Sequence, residues 1–381
     1  MGEMQKLKFG LIGGGEGAFI GAVHRLAAEL DGEAELVAGC CGSTPERAHT
    51  AGMRLYGLPP ERAYGSVVQM LAGEQELPAS ERMQFVIVAT PNHTHVDIAE
   101  AALWHGFPVA CDKPLATDLD SAKRLASVVG TTGLPLAVTY NYTGYPMVRE
   151  ARALIAGGVL GRIRRVQCEY FQGWLATKAE AENKQANWRT DPAQAGGSGC
   201  FGDIGSHAEN LVHFVTGLTI KSLCADLSAF VPGRRLDDDG NVLLRFEGGA
   251  RGVICASQIA VGEENALSIR VYGERGGLEW RQQEPNSLVL RMMDRPMQIL
   301  RTGVGNLAPI TSRSARLPAG HPEGFLEAFA NIYRGFMADL RDEGNAEYPR
   351  IDDGVRGMLF LDRVVASSRY GGQWLDMEAM S

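Results

Sequence analysis

Short apolar runs alternate with amphipathic stretches over the first third of the chain. Five of these runs have the length of buried strands, and they lie at 7–12, 35–40, 85–89, 108–111 and 136–139. The stretches between them, such as 95–105 and 118–129, have the spacing of helices. Strands that alternate with helices predict a parallel sheet with helices on both faces. The pattern therefore predicts an α/β domain over 1–140.

The pattern changes after residue 140. A helix at 145–156 and a strand at 163–171 precede a polar segment at 172–189, which we interpret as a lid, and a glycine cluster at 196–202. A helix at 203–215 then leads to consecutive strand-like runs at 220–230, 241–246, 252–258, 267–272 and 278–281. Consecutive strands predict hairpins and an antiparallel or mixed sheet.

Two helices, at 322–340 and 353–368, close the chain, and 282–320 has no clear pattern. We therefore predict a second domain over 141–381 and expect its last helices to pack back on the first domain.

Composition and charge argue against several classes of protein, namely those that bind nucleic acid, span a membrane or hold a metal through cysteines. The 381 residues carry a net charge of −8, which argues against a nucleic-acid partner, and no apolar stretch approaches the length of a membrane helix. The seven cysteines lack the spacing of a metal site, so no metal is expected. No signal-peptide pattern precedes the first strand. We expect a reduced, cytoplasmic protein.

A glycine-rich turn follows the first strand. Gly13 and Gly15 begin a Gly-x-Gly-x-x-Ala pattern that ends at Ala18, just before a helix. Such a turn brings the backbone close to a pyrophosphate, and the helix N-terminus attracts the anion. The motif predicts a dinucleotide site, in which either Ala18 or Gly21 takes the place of the third glycine.

The ribose end of this site leaves NAD and NADP both open. The second predicted strand lacks the acidic residue that usually binds the 2′-hydroxyl of NAD. Ser43, Thr44 and Arg47 suit a 2′-phosphate, although Arg47 is equally compatible with a solvated helix position.

Two further motifs carry chemistry. Asp112, Lys113 and Pro114 come directly after a buried strand, at the sheet edge where ligands bind in such folds. In a helix from residue 203, Asp203, His207 and Asn210 share one stripe, so that the carboxylate would orient the imidazole as a general base.

These motifs resemble the Gfo/Idh/MocA family of oxidoreductases. The resemblance rests on the glycine turn with His24, on 86–95 continuing to 111–115, and on 187–192 followed by the glycine cluster and 203–207. It implies an N-terminal Rossmann domain and a C-terminal α/β domain with a large, mostly antiparallel, open-faced sheet. Homodimers or homotetramers are implied as well.

The resemblance also implies roles for individual residues. Lys113, Asp203 and His207 match the family's catalytic residues. Further cofactor contacts are expected from the glycine turn and from the strand ends: Gly13, Gly15, Ala18, Phe19, Ile20, Ser43, Arg47, Thr90, Pro91, Asn92, His95, Asp112, Lys113, Pro114, Asn141, Trp188 and Arg189. The expected substrate contacts are Lys113, Tyr142, Tyr170, Gln172, Lys178, Asn183, Asp203, His207 and Asn210. Asp112 and Tyr142 depart from the family, which commonly has Glu and a basic residue there.

The function expected from these features is hydride transfer between NAD or NADP and a C–OH group of a sugar, polyol or sugar derivative. A glycosidase that oxidises its sugar transiently is one alternative. The second alternative is a protein that binds a dinucleotide but catalyses no reaction. Such a protein would be expected to lack Lys113, Asp203 or His207, and all three are present.

Overall fold

The chain divides into two compact units. The structure is a computed structural model that describes residues 5–178, 180, 182–344 and 346–378. The first unit comprises the chain up to Tyr140 together with Phe329–Val355, and the second comprises Asn141–Ala328 and the chain from Arg356 onward. The first unit thus includes a segment, Phe329–Val355, that lies inside the second domain as predicted from the sequence.

The first unit contains a parallel sheet of five strands in the order β2-β1-β3-β4-β5. Its strands are β1 (Leu7–Gly13), β2 (Ala34–Cys40), β3 (Phe85–Ala89), β4 (Val109–Cys111) and β5 (Leu136–Val138). All residues of β3 are buried, as expected for a parallel sheet that is covered on both faces. β2 lies on one side of β1 and β3 on the other, and in such sheets ligands bind at this reversal, beyond the carboxyl ends of the strands. The predicted Rossmann sheet is confirmed.

The helices of the first unit are α1 (Ile20–Glu29), α2 (Pro45–Tyr56), α3 (Val67–Glu76), α4 (His95–Trp104) and α5 (Leu119–Thr132). Of these, α4 and α5 match the helices predicted over 95–105 and 118–129. α2 begins with Pro45 in its first turn, and the Thr44 hydroxyl accepts a hydrogen bond from the Arg47 N–H at 3.4 Å.

The second unit is built on a nine-stranded sheet in the order β13-β12-β11-β10-β6-β9-β8-β7-β14. The strands are β6 (Ile163–Phe171), β7 (Ile220–Ser228), β8 (Asp239–Phe246), β9 (Arg251–Ser257), β10 (Ala266–Gly273), β11 (Gly276–Arg281), β12 (Ser287–Met292), β13 (Gln298–Arg301) and β14 (Leu375–Asp376). β6 and β9 pair in parallel and the other neighbours pair antiparallel. The mostly antiparallel sheet is therefore confirmed, and β12 and β13 lie in the stretch that the sequence left unassigned.

The remaining helices are α6 (Pro146–Ala156), α7 (Lys184–Arg189), α8 (Pro192–Ala195), α9 (Ser206–Thr216), α10 (Pro309–Ser314), α11 (Phe325–Leu340) and α12 (Ile351–Arg369). α9 packs against β6, β9 and β10 and buries most of its residues there. Over the part of the chain that is described, the helices are too short or too polar to span a bilayer.

The predicted helix at 203–215 is wrong in its first turn. Phe201–Gly205 forms a π-helical turn, and α9 begins only at Ser206. The i, i+4 spacing of an α-helix therefore does not hold between Asp203 and His207. Isolated π turns are often found at functional sites.

Candidate active site

The turn after β1 has no room for side chains at two of its glycines. Gly13 has a φ of +101°, and a Cβ atom there would lie 2.2 Å from the carbonyl oxygen of Ala89. A Cβ atom on Gly15 would lie 2.5 Å from the carbonyl oxygen of Cys41. Backbone segments at the ends of β1, β2 and β3 therefore approach one another closely, which is the geometry a dinucleotide turn requires.

Gly21, rather than Ala18, takes the place of the third glycine. A Cβ atom on Gly21 would lie 2.3 Å from the Cα atom of Gly14, so the first turn of α1 packs directly on the glycine turn. The Ala18 N–H donates to the Gly15 carbonyl at 2.9 Å, and the Phe19 side chain is exposed. No side chain within the described ranges caps α1, which begins at Ile20, so no side-chain cap uses its first N–H groups, as an anion site would need.

The end of β2 presents the residues expected near the ribose. Ser43, Thr44 and Arg47 are all exposed, and the Thr44 hydroxyl is used to cap α2. Residues 41–45 carry no carboxylate. This part of the unit therefore lacks the negative charge that would repel a 2′-phosphate.

His95 ties together the carboxyl ends of β3 and β4. Its Nε2 lies 2.8 Å from the carbonyl oxygen of Thr90, and its Nδ1 lies 2.9 Å from that of Pro114. The ring is buried, and burial lowers its pKa. Pro91 and the buried Asn92 follow directly after Thr90, at the end of β3 that His95 contacts. Their predicted contacts with the nicotinamide remain predictions.

Asp112 holds the turn that carries Lys113. Its Oδ1 accepts the Lys113 backbone N–H at 2.9 Å and the Thr139 hydroxyl at 3.0 Å. Lys113 is half-buried at the end of β4, on the side of the sheet where ligands bind in this class of fold. The structure therefore places residue Lys113 at the expected edge of the sheet.

Asp203 accepts two hydrogen bonds from side chains of the second unit. The Arg189 Nε donates to its Oδ2 at 3.2 Å, and the Gln258 Nε2 donates to the same oxygen at 2.9 Å. The Arg189 guanidinium also lies 4.2 Å from the centre of the Trp188 ring. Gln258 was missed from the sequence because it follows β9 without a motif.

Asp237 anchors the π turn that carries Asp203. Its two carboxylate oxygens accept the backbone N–H groups of Gly199 and Phe201, each at 2.9 Å. Burial raises the pKa of Asp237, while these hydrogen bonds oppose the rise. Asp237 was also missed, although the acidic run at 237–239 just before a strand was a usable signal.

Replacing Asp237 with Asn is expected to lower the stability of the fold by about 1–3 kcal/mol, because one buried backbone N–H loses its acceptor. Urea unfolding followed by circular dichroism measures the change. Asp294→Asn is the control, since Asp294 is an exposed carboxylate paired with the adjacent Arg295, and its effect should stay within about 0.5 kcal/mol. Equal unfolding curves for the two variants would contradict the anchoring role.

His207 lies against a ring of hydrogen-bonded neutral groups. It is buried on α9, with its ring centre 4.8 Å from that of Tyr142 and 6.3 Å from that of Tyr170. The two phenol oxygens are 2.5 Å apart, Tyr170 donates to Asn265 Oδ1 at 2.7 Å, and Asn265 Nδ2 donates to the Tyr142 oxygen at 3.0 Å. Burial raises the pKa of both tyrosines, so both keep their protons at neutral pH.

Three further predicted contact residues, Gln172, Asn141 and Asn183, differ in how their side chains are used. Gln172 donates to Asn265 Oδ1 at 2.8 Å and so extends the network. Asn141 is buried, and its amide nitrogen has no hydrogen-bond partner among the described residues, which suits a ligand carbonyl. Asn183 instead uses its amide oxygen to cap α7, through the N–H of Gln185 at 2.8 Å. Asn265 was missed from the sequence because it stands in a loop before β10.

Comparison with known proteins places these features in a family. Residues 7–140 match a model described as an oxidoreductase family with an NAD-binding Rossmann fold, and residues 148–279 match the GFO/IDH/MocA C-terminal domain. An uncharacterized oxidoreductase of Bacillus subtilis, YfiI, is 33% identical over 98% of this chain and 97% of its own. Levoglucosan dehydrogenase of Pseudarthrobacter phenanthrenivorans is 26% identical over 99% of this chain and 100% of its own.

Two solved structures of an inositol dehydrogenase homologue from Azotobacter vinelandii are also similar. The complex with NAD+ is 37% identical, with a TM-score of 0.94, over 98% of this chain and 97% of that chain. The complex with NADH and myo-inositol is 36% identical, with a TM-score of 0.90, over 98% of both chains. The two domain models, together with relatives more than 30% identical along almost their whole length, show that this chain belongs to the GFO/IDH/MocA family of oxidoreductases, in which the N-terminal domain is an NAD-binding Rossmann fold.

Proposed function

We propose that this oxidoreductase transfers a hydride between a nicotinamide cofactor and a C–OH carbon of a neutral sugar or polyol. The observation that supports it most is the setting of His207, a buried imidazole beside two phenols and an amide that are all uncharged. Hydroxyl and amide groups of this kind exchange hydrogen bonds with sugar hydroxyls at no electrostatic cost.

Each proposed catalytic residue has one task. His207 takes the proton of the reacting hydroxyl as general base, and Asp203, which Arg189 and Gln258 hold on the π turn directly before α9, orients it. The Lys113 ammonium donates a hydrogen bond to the same oxygen and stabilises the negative charge that develops there. The bound nicotinamide ring supplies the hydride chemistry. Gly13, Gly15 and the first turn of α1 hold the pyrophosphate, and Asn141 binds a cofactor carbonyl.

The substrate class follows from charge. The family resemblance implies a basic residue at the position of Tyr142, which instead is hydrogen-bonded to Tyr170 and Asn265. A phosphate or carboxylate on the substrate would find no cation in this ring of three side chains. We therefore propose a neutral cyclic polyol or sugar, in keeping with the myo-inositol in the complex of the Azotobacter vinelandii homologue.

The test is turnover of a substrate panel by the purified protein. The panel contains myo-inositol, other neutral polyols and sugars, and a phosphorylated counterpart of each, with NAD and with NADP. We expect the absorbance of the reduced nicotinamide to increase over time with the neutral substrates. We expect a much lower kcat/KM with their phosphorylated counterparts. Sugar cleavage without net reduction of the cofactor, or binding without turnover, would overturn the proposal.

Replacing Ser43 with Asp is expected to lower kcat/KM with NADP about tenfold relative to kcat/KM with NAD, because a carboxylate there repels the 2′-phosphate and binds the 2′-hydroxyl. Steady-state kinetics with both nucleotides measure the ratio. Thr50→Asp, which adds the same charge at an exposed position further along α2, is the control. An unchanged ratio in the Ser43 variant would show that the ribose lies elsewhere.

We also propose that the protein acts in the cytoplasm as a homodimer or homotetramer. Leu243 on β8 and Ile299 on β13 are about half exposed on strands of the second unit's sheet, and such apolar side chains suit a contact between copies. Light scattering of the purified protein tests the oligomeric state.

A further inference from the structure

A buried chain of three polar side chains lies behind Lys113 in the first unit. His24, in α1, is completely buried, and its Nδ1 lies 2.5 Å from the phenol oxygen of Tyr333 in α11. Its Nε2 lies 3.8 Å from Oδ2 of Asp112. The imidazole therefore connects a phenol to the carboxylate that holds the Lys113 turn.

The two oxygens of Asp112 face different neighbours. Oδ1 accepts the Lys113 N–H and the Thr139 hydroxyl, whereas Oδ2 faces His24. A rotation of the carboxylate would therefore disturb the Lys113 backbone directly. His24 is placed to prevent that rotation.

The charge of Asp112 settles which nitrogen of His24 carries a proton. Burial opposes ionisation of Asp112, but His24, Lys113 and His95 outweigh it and hold the pKa of Asp112 well below its usual range. Because the carboxylate is ionised, the Nε2 of His24 carries a proton towards it. With a proton on Nε2, Nδ1 can accept a hydrogen bond, and the Tyr333 hydroxyl is the donor across the 2.5 Å contact.

Packing alone does not require these polar groups. The ring of Phe329 meets the His24 ring edge to face at 4.9 Å, so the surroundings of the imidazole are aromatic. Buried polar groups lower stability unless they are paired, and apolar side chains of similar shape often serve packing equally well. The buried side chains of Tyr333, His24 and Asp112 are better explained as groups that fix the geometry of the Lys113 turn.

We propose that Tyr333 and His24 are positioning residues that fix Asp112 and, through it, the orientation of Lys113 for catalysis. This inference rests on the proposed role of Lys113. It gives the C-terminal segment Phe329–Val355 a direct part in the site, because Tyr333 is the outermost member of the chain.

The first test compares two phenol-to-phenyl variants. Tyr333→Phe removes the hydroxyl that faces His24, and Tyr348→Phe removes one that bonds to Asp339 in the same unit. We expect Tyr333→Phe to lower kcat about tenfold, because a small misplacement of a catalytic group has effects of this size. KM for the polyol and the dissociation constant of the reduced cofactor should stay within about twofold. Tyr348→Phe should keep kcat within about twofold of the wild-type value, even if its melting temperature falls as far as that of Tyr333→Phe.

The second test is a pH profile of His24→Gln. Of the groups that face Asp112, the variant removes His24 and keeps Lys113, His95 and the phenol of Tyr333, while burial still raises the pKa of the carboxyl. The pKa of Asp112 should therefore rise, and the acidic limb of kcat should move to higher pH. The limb should not move in Tyr348→Phe.

The outcomes separate this inference from the proposed function. Equal kcat values for Tyr333→Phe and Tyr348→Phe would overturn the positioning role, as would an unmoved acidic limb in a folded His24→Gln. Circular dichroism and cofactor binding establish folding, and if His24→Gln does not fold, the tyrosine pair decides. If Lys113→Met abolishes turnover while the tyrosine variants match, only the positioning role fails. If Lys113→Met keeps full activity, the proposed function fails.

Discussion

Replacing His207 with Asn is expected to lower kcat by about 10²–10⁴-fold, because the amide keeps a polar group of similar size but cannot take the hydroxyl proton. The Tyr142–Tyr170–Asn265 ring is left in place, so KM for the polyol should change little. Steady-state kinetics at saturating cofactor measure both parameters. Cofactor affinity should be unchanged, since the variant alters proton transfer alone.

His213→Asn is the matched control for this variant. His213 lies on the same helix, α9, and its Nδ1 lies 3.2 Å from the carbonyl oxygen of Leu218, at the end of the helix. Its loss should affect stability and leave kcat near the wild-type value. Similar kcat values for the two variants would assign the general base to another residue.

Replacing Lys113 with Met is expected to lower kcat by about 10²–10³-fold, because the transition state loses a charged donor aimed at the developing oxyanion. Methionine keeps the length of the side chain and removes its charge. Lys113→Arg should restore little activity, since the planar guanidinium does not place a donor at the same point. Kinetics with the best polyol of the panel measure each change.

Lys123→Met is the control for Lys113. Lys123 is exposed on α5 in the same unit, so its substitution removes one positive charge without touching the turn after β4. Its kcat should stay within about twofold of the wild-type value. A comparable loss in both variants would indicate that net charge, rather than a contact to the substrate, explains the effect.

Local patterns predicted the elements well where burial is one-sided or complete. β3 appears as an unbroken apolar run because all its residues are buried, and the helix predicted over 95–105 corresponds to α4. β13 was not predicted, since its four residues are mostly exposed and show no alternation. The π turn at Phe201–Gly205 was also missed, because its form depends on the distant carboxylate of Asp237.

The candidate site divides in the same way. Sequence motifs gave the glycine turn, Lys113 and His207 as candidates, because each of them lies in a short motif that has a chemical reason. The side chains that hold them in place, such as Tyr333, Asp237 and Asn265, have no motif of their own. Tyr333 is 309 residues from the histidine that it meets.

By itself, the sequence determined the fold class and the family and supplied the candidate residues for the chemistry, because these are encoded in local periodicity and short motifs. Only the tertiary structure decided which glycine packs against the turn, which carboxylate anchors the π turn, and which phenol stands behind Lys113. The reason is physical: periodicity indicates that a side chain is buried, but the partner it finds there depends on how remote segments pack.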